Sequence, residues 1–139
     1  MAGELFTNDG VLWCMNVLLQ QIAQDDLQIV LLTDTVPFAI TDVPADHTPN
    51  VLTGGAPITL TSIDWSTAVS MGTAAGVTGT LAWTFAPYAG GTTIQQYMIL
   101  DASTGTKIIW GGVLPTPFAV PAGGGILNLV ITWPGQLCT

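Results

Sequence analysis

The stretch YMILDASTGTKIIWGG, residues 97–112, decides the fold. Two apolar runs, Tyr97 to Leu100 and Ile108 to Trp110, flank Asp101, Ala102, Ser103, Thr104, Gly105, Thr106 and Lys107. The polar centre has two readings, a reactive loop or the turn of a β-hairpin. Asp and Ser hydrogen-bond to backbone N–H groups a few residues on, and Gly takes a positive φ without strain. Lys107 then opens the return strand. The hairpin reading uses every residue of the stretch, so we expect an antiparallel pair here.

The chemical reading fails on order. DASTG has the residue types of an aspartic-protease loop in the wrong sequence, and that chemistry needs two carboxylates sharing a proton. No second copy occurs. GTK lacks the Gly-x-x-x-x-Gly-Lys-Ser/Thr order that cradles a phosphate.

Working outward, the segments from residue 57 on repeat the half-buried pattern of a strand. Ile58 and Leu60 alternate with Thr59 and Thr61, and Leu81, Trp83 and Phe85 alternate with Thr80, Ala82 and Thr84. ILNLVITW sets Leu127, Leu129, Ile131 and Trp133 on one face. Gly and Pro clusters at 72–79, 87–91, 111–117 and 121–125 read as punctuation between strands. Upstream, LQIVLLTD reads as a further strand. Residues 34–57 carry Pro37, Pro44, Pro49 and Pro57 and two adjacent glycines, and read as an ordered loop or an extended arm, of which an arm across a neighbouring subunit is preferred. The one helical pattern is at 8–24, where Leu12, Met15, Leu19 and Ile22 recur at three- and four-residue steps behind a cap from Thr7, Asn8 or Asp9. We expect one mainly β domain over 1–139, an antiparallel, jelly-roll-like β-sandwich with one N-terminal α-helix.

Composition narrows the function classes. Of 139 residues, 49% are hydrophobic and only 7% charged, against about a quarter charged in ordinary soluble domains. One Lys, no Arg and nine acids give a net charge of −8, so no basic face exists to neutralise nucleic-acid phosphates or an anionic membrane. No apolar run of about 18 residues is unbroken, and MAGELFTNDG lacks the basic and apolar regions of a secretion signal. A surface of Thr, Ser, Gly, Ala, Asn and Gln suits permanent burial against partners, because interface cores are depleted in charge. We expect a homo-oligomer or a component of a larger assembly. Cys14 and Cys138 lie near opposite ends and make no disulfide framework or CxxC site.

Candidate sites are sparse. His47 stands with Asp42 and Asp46, too few groups for calcium, which takes about six to eight oxygens, unless Asp25 and Asp26 join them. No Ser sits in a Gly-x-Ser-x-Gly elbow to make His47 the base of a triad. Trp83, Trp110 and Trp133 fall in strands and read as core or interface packing, while Trp65, in the turn-like SIDWSTA, is the candidate for an exposed ring that would stack on a sugar. Lys107, Trp65 and Trp110 are the interface candidates. No cofactor or metal is expected.

The C-terminal half resembles a diffuse group of small structural proteins of tailed bacteriophages. In that group a strand ending in Asp-Ala-x-x-Gly precedes an apolar strand with Trp or Tyr, a Pro-containing segment, a glycine and a closing apolar–Thr strand. Here these features fall on Asp101, Ala102, Gly105, Trp110, Pro115, Pro117, Gly123 and residues 126–133. The likeness covers about the last 60 residues well and the first 35 loosely. It implies a virion component, made in the host cytoplasm, without enzymatic activity. A trimeric capsid decoration or cement protein bound to the major capsid protein is the first expectation. A tail or fibre adaptor or adhesin is the second, a carbohydrate-binding module on Trp65 the third, and a hydrolase on His47 the last.

Overall fold

The computed structural model describes residues 5–7, 9–10, 27–60, 65–70, 73–102 and 104–133, with backbone alone for 5–6, 65–70, 73–77 and 132–133. Among the described residues ten strands follow one another: β1 (Leu5–Phe6), β2 (Leu27–Leu32), β3 (Ile58–Leu60), β4 (Trp65–Ser70), β5 (Thr73–Thr78), β6 (Leu81–Phe85), β7 (Thr93–Asp101), β8 (Ile108–Ala119), β9 (Gly125–Leu129) and β10 (Thr132–Trp133). A 3-10 turn, Pro44–Asp46, interrupts the loop after β2. The protein is mainly β, and every pairing among the described strands is antiparallel.

The central unit is the expected hairpin. β7 and β8 pair from Leu100↔Ile108 outward. At the turn the Gly105 N–H donates to the Asp101 carbonyl at 2.8 Å, and Gly105 takes φ 64°. β2 joins the other edge of β7 in an unbroken six-residue register, giving a five-stranded sheet ordered β1-β8-β7-β2-β3. The β7–β8 register shifts between Ile94 and Gln96, and the extra residues in β8 include Pro115 and Pro117. Proline cannot donate to a ladder, so a bulge is where it fits.

Both faces of this sheet are buried. Leu27, Ile29 and Leu31 of β2 point to one side, together with Ile99, Ile109 and Trp110. Val30, Leu32, Met98, Leu100 and Ile108 point to the other, where Phe38 packs on them. Trp83 and Phe85 of β6 and Leu127 of β9 complete the first cluster, so the β6–β9 pair lies against that face. Each such aliphatic side chain contributes about 1.5–3 kcal/mol when fully buried.

β6 and β9 continue into β5 and β10, whose pairing is offset by one residue from that of Leu81↔Leu129. Thr78 marks the step: its N–H donates to the Ile131 carbonyl and its hydroxyl accepts from the Ile131 N–H, both at 3.0 Å. Leu127 and Ile131 therefore stay buried on the same side despite the break, as their alternation requires.

Three expectations need correction. Residues 72–79, read as punctuation, supply β5, and the turn-like SIDWSTA supplies the start of β4 at Trp65. The 111–117 cluster is strand as well, inside β8. Its glycines answer to packing rather than to turning: a Cβ on Gly111 would lie 2.4 Å from the Phe38 ring, and one on Gly112 would lie 2.4 Å from the Tyr97 hydroxyl. One glycine thus admits an aromatic ring on each face of the sheet.

No α-helix stands among the described elements. Of the helix expected over 8–24, only Asp9 and Gly10 are described, and the rest lies outside the described residues, as do Cys14 and Cys138. The Thr7 hydroxyl accepts from the Gly10 N–H at 3.0 Å and donates to the Ile108 carbonyl.

Gly111→Val tests the packing of Phe38. Valine favours strands, so propensity alone predicts a small gain. The ring contact predicts instead a loss of about 1–3 kcal/mol. Urea unfolding should show a lower midpoint with an unchanged slope. A midpoint equal to or above wild type would contradict the packing.

Candidate functional site

The segment 34–57 lies over its own chain. Its base is a closed ladder: the Thr33 N–H donates to the Thr48 carbonyl at 3.0 Å, the Asn50 N–H donates to the Leu31 carbonyl at 2.8 Å, and Leu32 bridges Pro49. Residues 34–47 therefore leave and return at one point on the end of β2. The remainder crosses to β6, where the Ala86 N–H donates to the Thr53 carbonyl at 3.0 Å and Trp83 Nε1–H donates to the Ala56 carbonyl at 3.0 Å. Gly54, at φ 91°, is required there, since a Cβ would fall 1.9 Å from the Thr84 carbonyl oxygen.

A polar clasp fixes the loop. The His47 side chain is sealed from solvent, with Nε2 2.9 Å from Asp42 Oδ2 and Nδ1 3.5 Å from Asp34 Oδ1. Carboxylates only accept, so Nε2–H is the donor of the shorter contact. The Phe38 ring lies on the imidazole with centroids 4.3 Å apart. The Asp34 carboxylate also accepts from the Val36 N–H at 3.2 Å and from the Thr48 N–H. Asp42 accepts from the Ala39 N–H at 2.8 Å and Asp46 from the Val43 N–H at 2.9 Å.

Gln96 anchors the clasp to the sheet. It is buried in the middle of β7, and its Nε2 lies 3.0 Å from each of the Asp34 carbonyl, Asp34 Oδ1 and the Val36 carbonyl. A buried amide without partners would cost about 1–3 kcal/mol, so Gln96 dictates that loop oxygens come to it.

The arrangement holds backbone and occupies His47. Both ring nitrogens face carboxylates and the side chain has no exposed area, so neither nitrogen is open to a substrate in this structure. Among the described residues no three His, Cys, Asp or Glu side chains form a group that could hold a metal ion. Asp46 turns to the backbone of Val43 instead of to His47. Asp25 and Asp26 lie outside the described residues.

The interface candidates separate. Lys107 is exposed beside the hairpin turn and makes no ion pair among the described residues. Trp110 has no exposed area and meets Tyr97 edge-on at 6.1 Å, so it belongs to the chain's own core and not to a free surface. Trp65 opens β4, and its ring lies outside the description. What the sequence did bring together is Asp42 with His47. Asp34, Gln96 and Phe38 were missed: Asp34 reads as a strand-ending turn residue, and Gln96 lies 62 positions away from it.

Beside the clasp, Thr33, Thr48, Thr92, Thr93 and Gln95 line an open groove of about 410 Å³ at whose rim Val51 is almost wholly exposed. No helix of the described residues is long and apolar enough to cross a membrane. No protein-family model, curated protein or solved structure matches the chain.

His47→Ala and Gln96→Ala should each lower stability by about 1–3 kcal/mol, by leaving acceptors or loop carbonyls without a donor. Chemical denaturation reads this directly, and unchanged midpoints in both variants would show that the clasp holds nothing.

Proposed function

We propose that the chain is a non-enzymatic structural protein of a tailed-bacteriophage virion. Its place is the capsid exterior, as a decoration or cement protein acting as a homo-oligomer, with a trimer the simplest form. The observation that carries the proposal is the β7–β8 hairpin and the strands that close it. The residues that carry the phage-protein likeness do structural work there: the Asp101 carbonyl and Gly105 close the turn, Trp110 fills the core, and Pro115 and Pro117 occupy the bulged part of β8.

The surface supports the same reading. With 7% charged residues, the protein exposes Val36, Ile40, Val43, Val51, Val113, Ile126 and Val130. Scattered exposed aliphatics are ordinary, but paired with so little charge they favour permanent contacts. Across a capsomer junction such side chains stabilise by about 25 cal/mol per Å² of apolar area buried. We read the five-stranded sheet and the β6–β9 pair as two layers of a jelly-roll-like sandwich, because one hydrophobic cluster collects side chains from both.

A tail or fibre adaptor that binds a glycan is the second reading. The groove favours it, since its threonine hydroxyls and the Gln95 amide suit a neutral, hydroxyl-rich ligand.

Particles assembled without the protein should lose heat and osmotic stability and regain it when the protein is added back. Unchanged particle stability with lost adsorption to host cells would move the protein to the tail. Lys107→Ala should weaken oligomerisation, read by sedimentation, while leaving the melting temperature of the subunit unchanged. Equal loss of both would make Lys107 a local hairpin contact.

A further inference from the structure

We infer, resting on the glycan-binding reading above, that the groove beside the clasp is a binding site for a neutral saccharide, with Thr93 and Gln95 as its specificity-determining side chains. The groove lies where β2 ends and β7 begins. Its volume of about 410 Å³ falls within that of small-ligand clefts, about 300–1,000 Å³. Gln95 reaches it because β7 breaks its alternation there. Ile94 and Tyr97, three residues apart, enter one core cluster, where strict alternation would separate them. The break coincides with the register shift between Ile94 and Gln96, and irregularities of this kind re-aim side chains. Of the two adjacent glutamines, Gln96 goes to the clasp and Gln95 to the groove. Gln96 meets three loop oxygens, whereas the Gln95 amide makes no hydrogen bond among the described residues. The same holds for the Thr48, Thr92 and Thr93 hydroxyls around it.

Charge and donor chemistry define the ligand class. The lining contains no ionisable side chain, in a chain with nine acids. Asp34, next to Thr33, turns its carboxylate into the clasp, and Lys107 stands at the other end of β7, against Asp101. A charged ligand would therefore lose its hydration in the groove without meeting a countercharge. Hydroxyls donate and accept at once, and a primary amide does both through two atoms, which matches the vicinal hydroxyls of a sugar ring. Pro49 and Val51, the latter 91% exposed, offer apolar contact to the C–H face of such a ring. A peptide strand would need unpaired backbone, and that of the walls is taken. The Thr33 N–H donates to the Thr48 carbonyl, the Val120 N–H to the Thr92 carbonyl and the Thr92 N–H to the Tyr88 hydroxyl. The same bonds fix the walls, so binding has little further chain to order.

The probes are maltotriose, cellotriose and triacetylchitotriose, each titrated into the ¹⁵N-labelled protein and followed by amide shifts. Trigalacturonate, which is anionic, is the control. A neutral probe should give saturable shifts centred on residues 33, 48–51 and 91–95, and the control none there. Thr93→Val keeps the branched shape and the strand preference of the side chain and removes only its hydroxyl. It and Gln95→Ala should each weaken binding roughly tenfold, with the melting temperature and the amide spectrum of the sheet unchanged. No saturable shift with any neutral probe, equal binding of trigalacturonate at the same amides, or two variants that bind as wild type would each overturn the site. Shifts centred on β4 around Trp65 would overturn it too, by moving the sugar to that ring. The adaptor reading is scored separately, by whether the same probes block adsorption of particles to host cells. Binding at the groove without that block keeps the site and discards the adaptor. Blocked adsorption without shifts at the groove discards the site and keeps the adaptor.

Discussion

The structure depends on a sheet that must be covered on both faces. β2, β7 and β8 place large apolar side chains on each side, and Ile29, Leu32, Ile99, Ile108, Ile109 and Trp110 are all without measurable exposure. A half-buried antiparallel sheet needs only one cover. This one needs two, and the chain has few charges with which to make a solvated face. The β6–β9 pair supplies one cover. Part of the other is Phe38, delivered by the loop after β2 and admitted by the missing side chain of Gly111.

The polar interior of that loop follows from the same constraint. Covering the sheet with irregular chain buries backbone N–H and C=O groups that no ladder satisfies. Asp34, Asp42, Asp46, His47 and Gln96 satisfy them in place. Burial thus turns a proline-rich segment into a fixed structure. The inward-facing ring and the outward-facing Val36, Ile40 and Val43 are two sides of one short run.

Much of this was legible in the sequence. The turn at Asp101–Gly105 and the period-two runs around Trp83 and Leu127 depend on local chemistry and alternation, which a linear sequence displays directly. β4 and β5 were not legible. Their Ser, Thr, Ala and Gly residues carry no apolar alternation, and pairing to each other and to β10 makes them strands. Gly111 and Gly112 looked like turn residues because the rings that require them, Phe38 and Tyr97, are distant in sequence. The clasp was half visible: Asp42 and His47 are five apart, whereas Asp34 and Gln96 meet only once β2 and β7 pair.

Native-state hydrogen exchange of the wild-type protein tests the central claim most directly, that the loop is a fixed cover of the sheet. The amides of Ala39, Thr48 and Asn50, donors to Asp42, Asp34 and the Leu31 carbonyl, should be strongly protected, as should those of Ile99 and Ile109 in the sheet. Loop amides exchanging at the rate of unstructured chain while the sheet amides stay protected would contradict it.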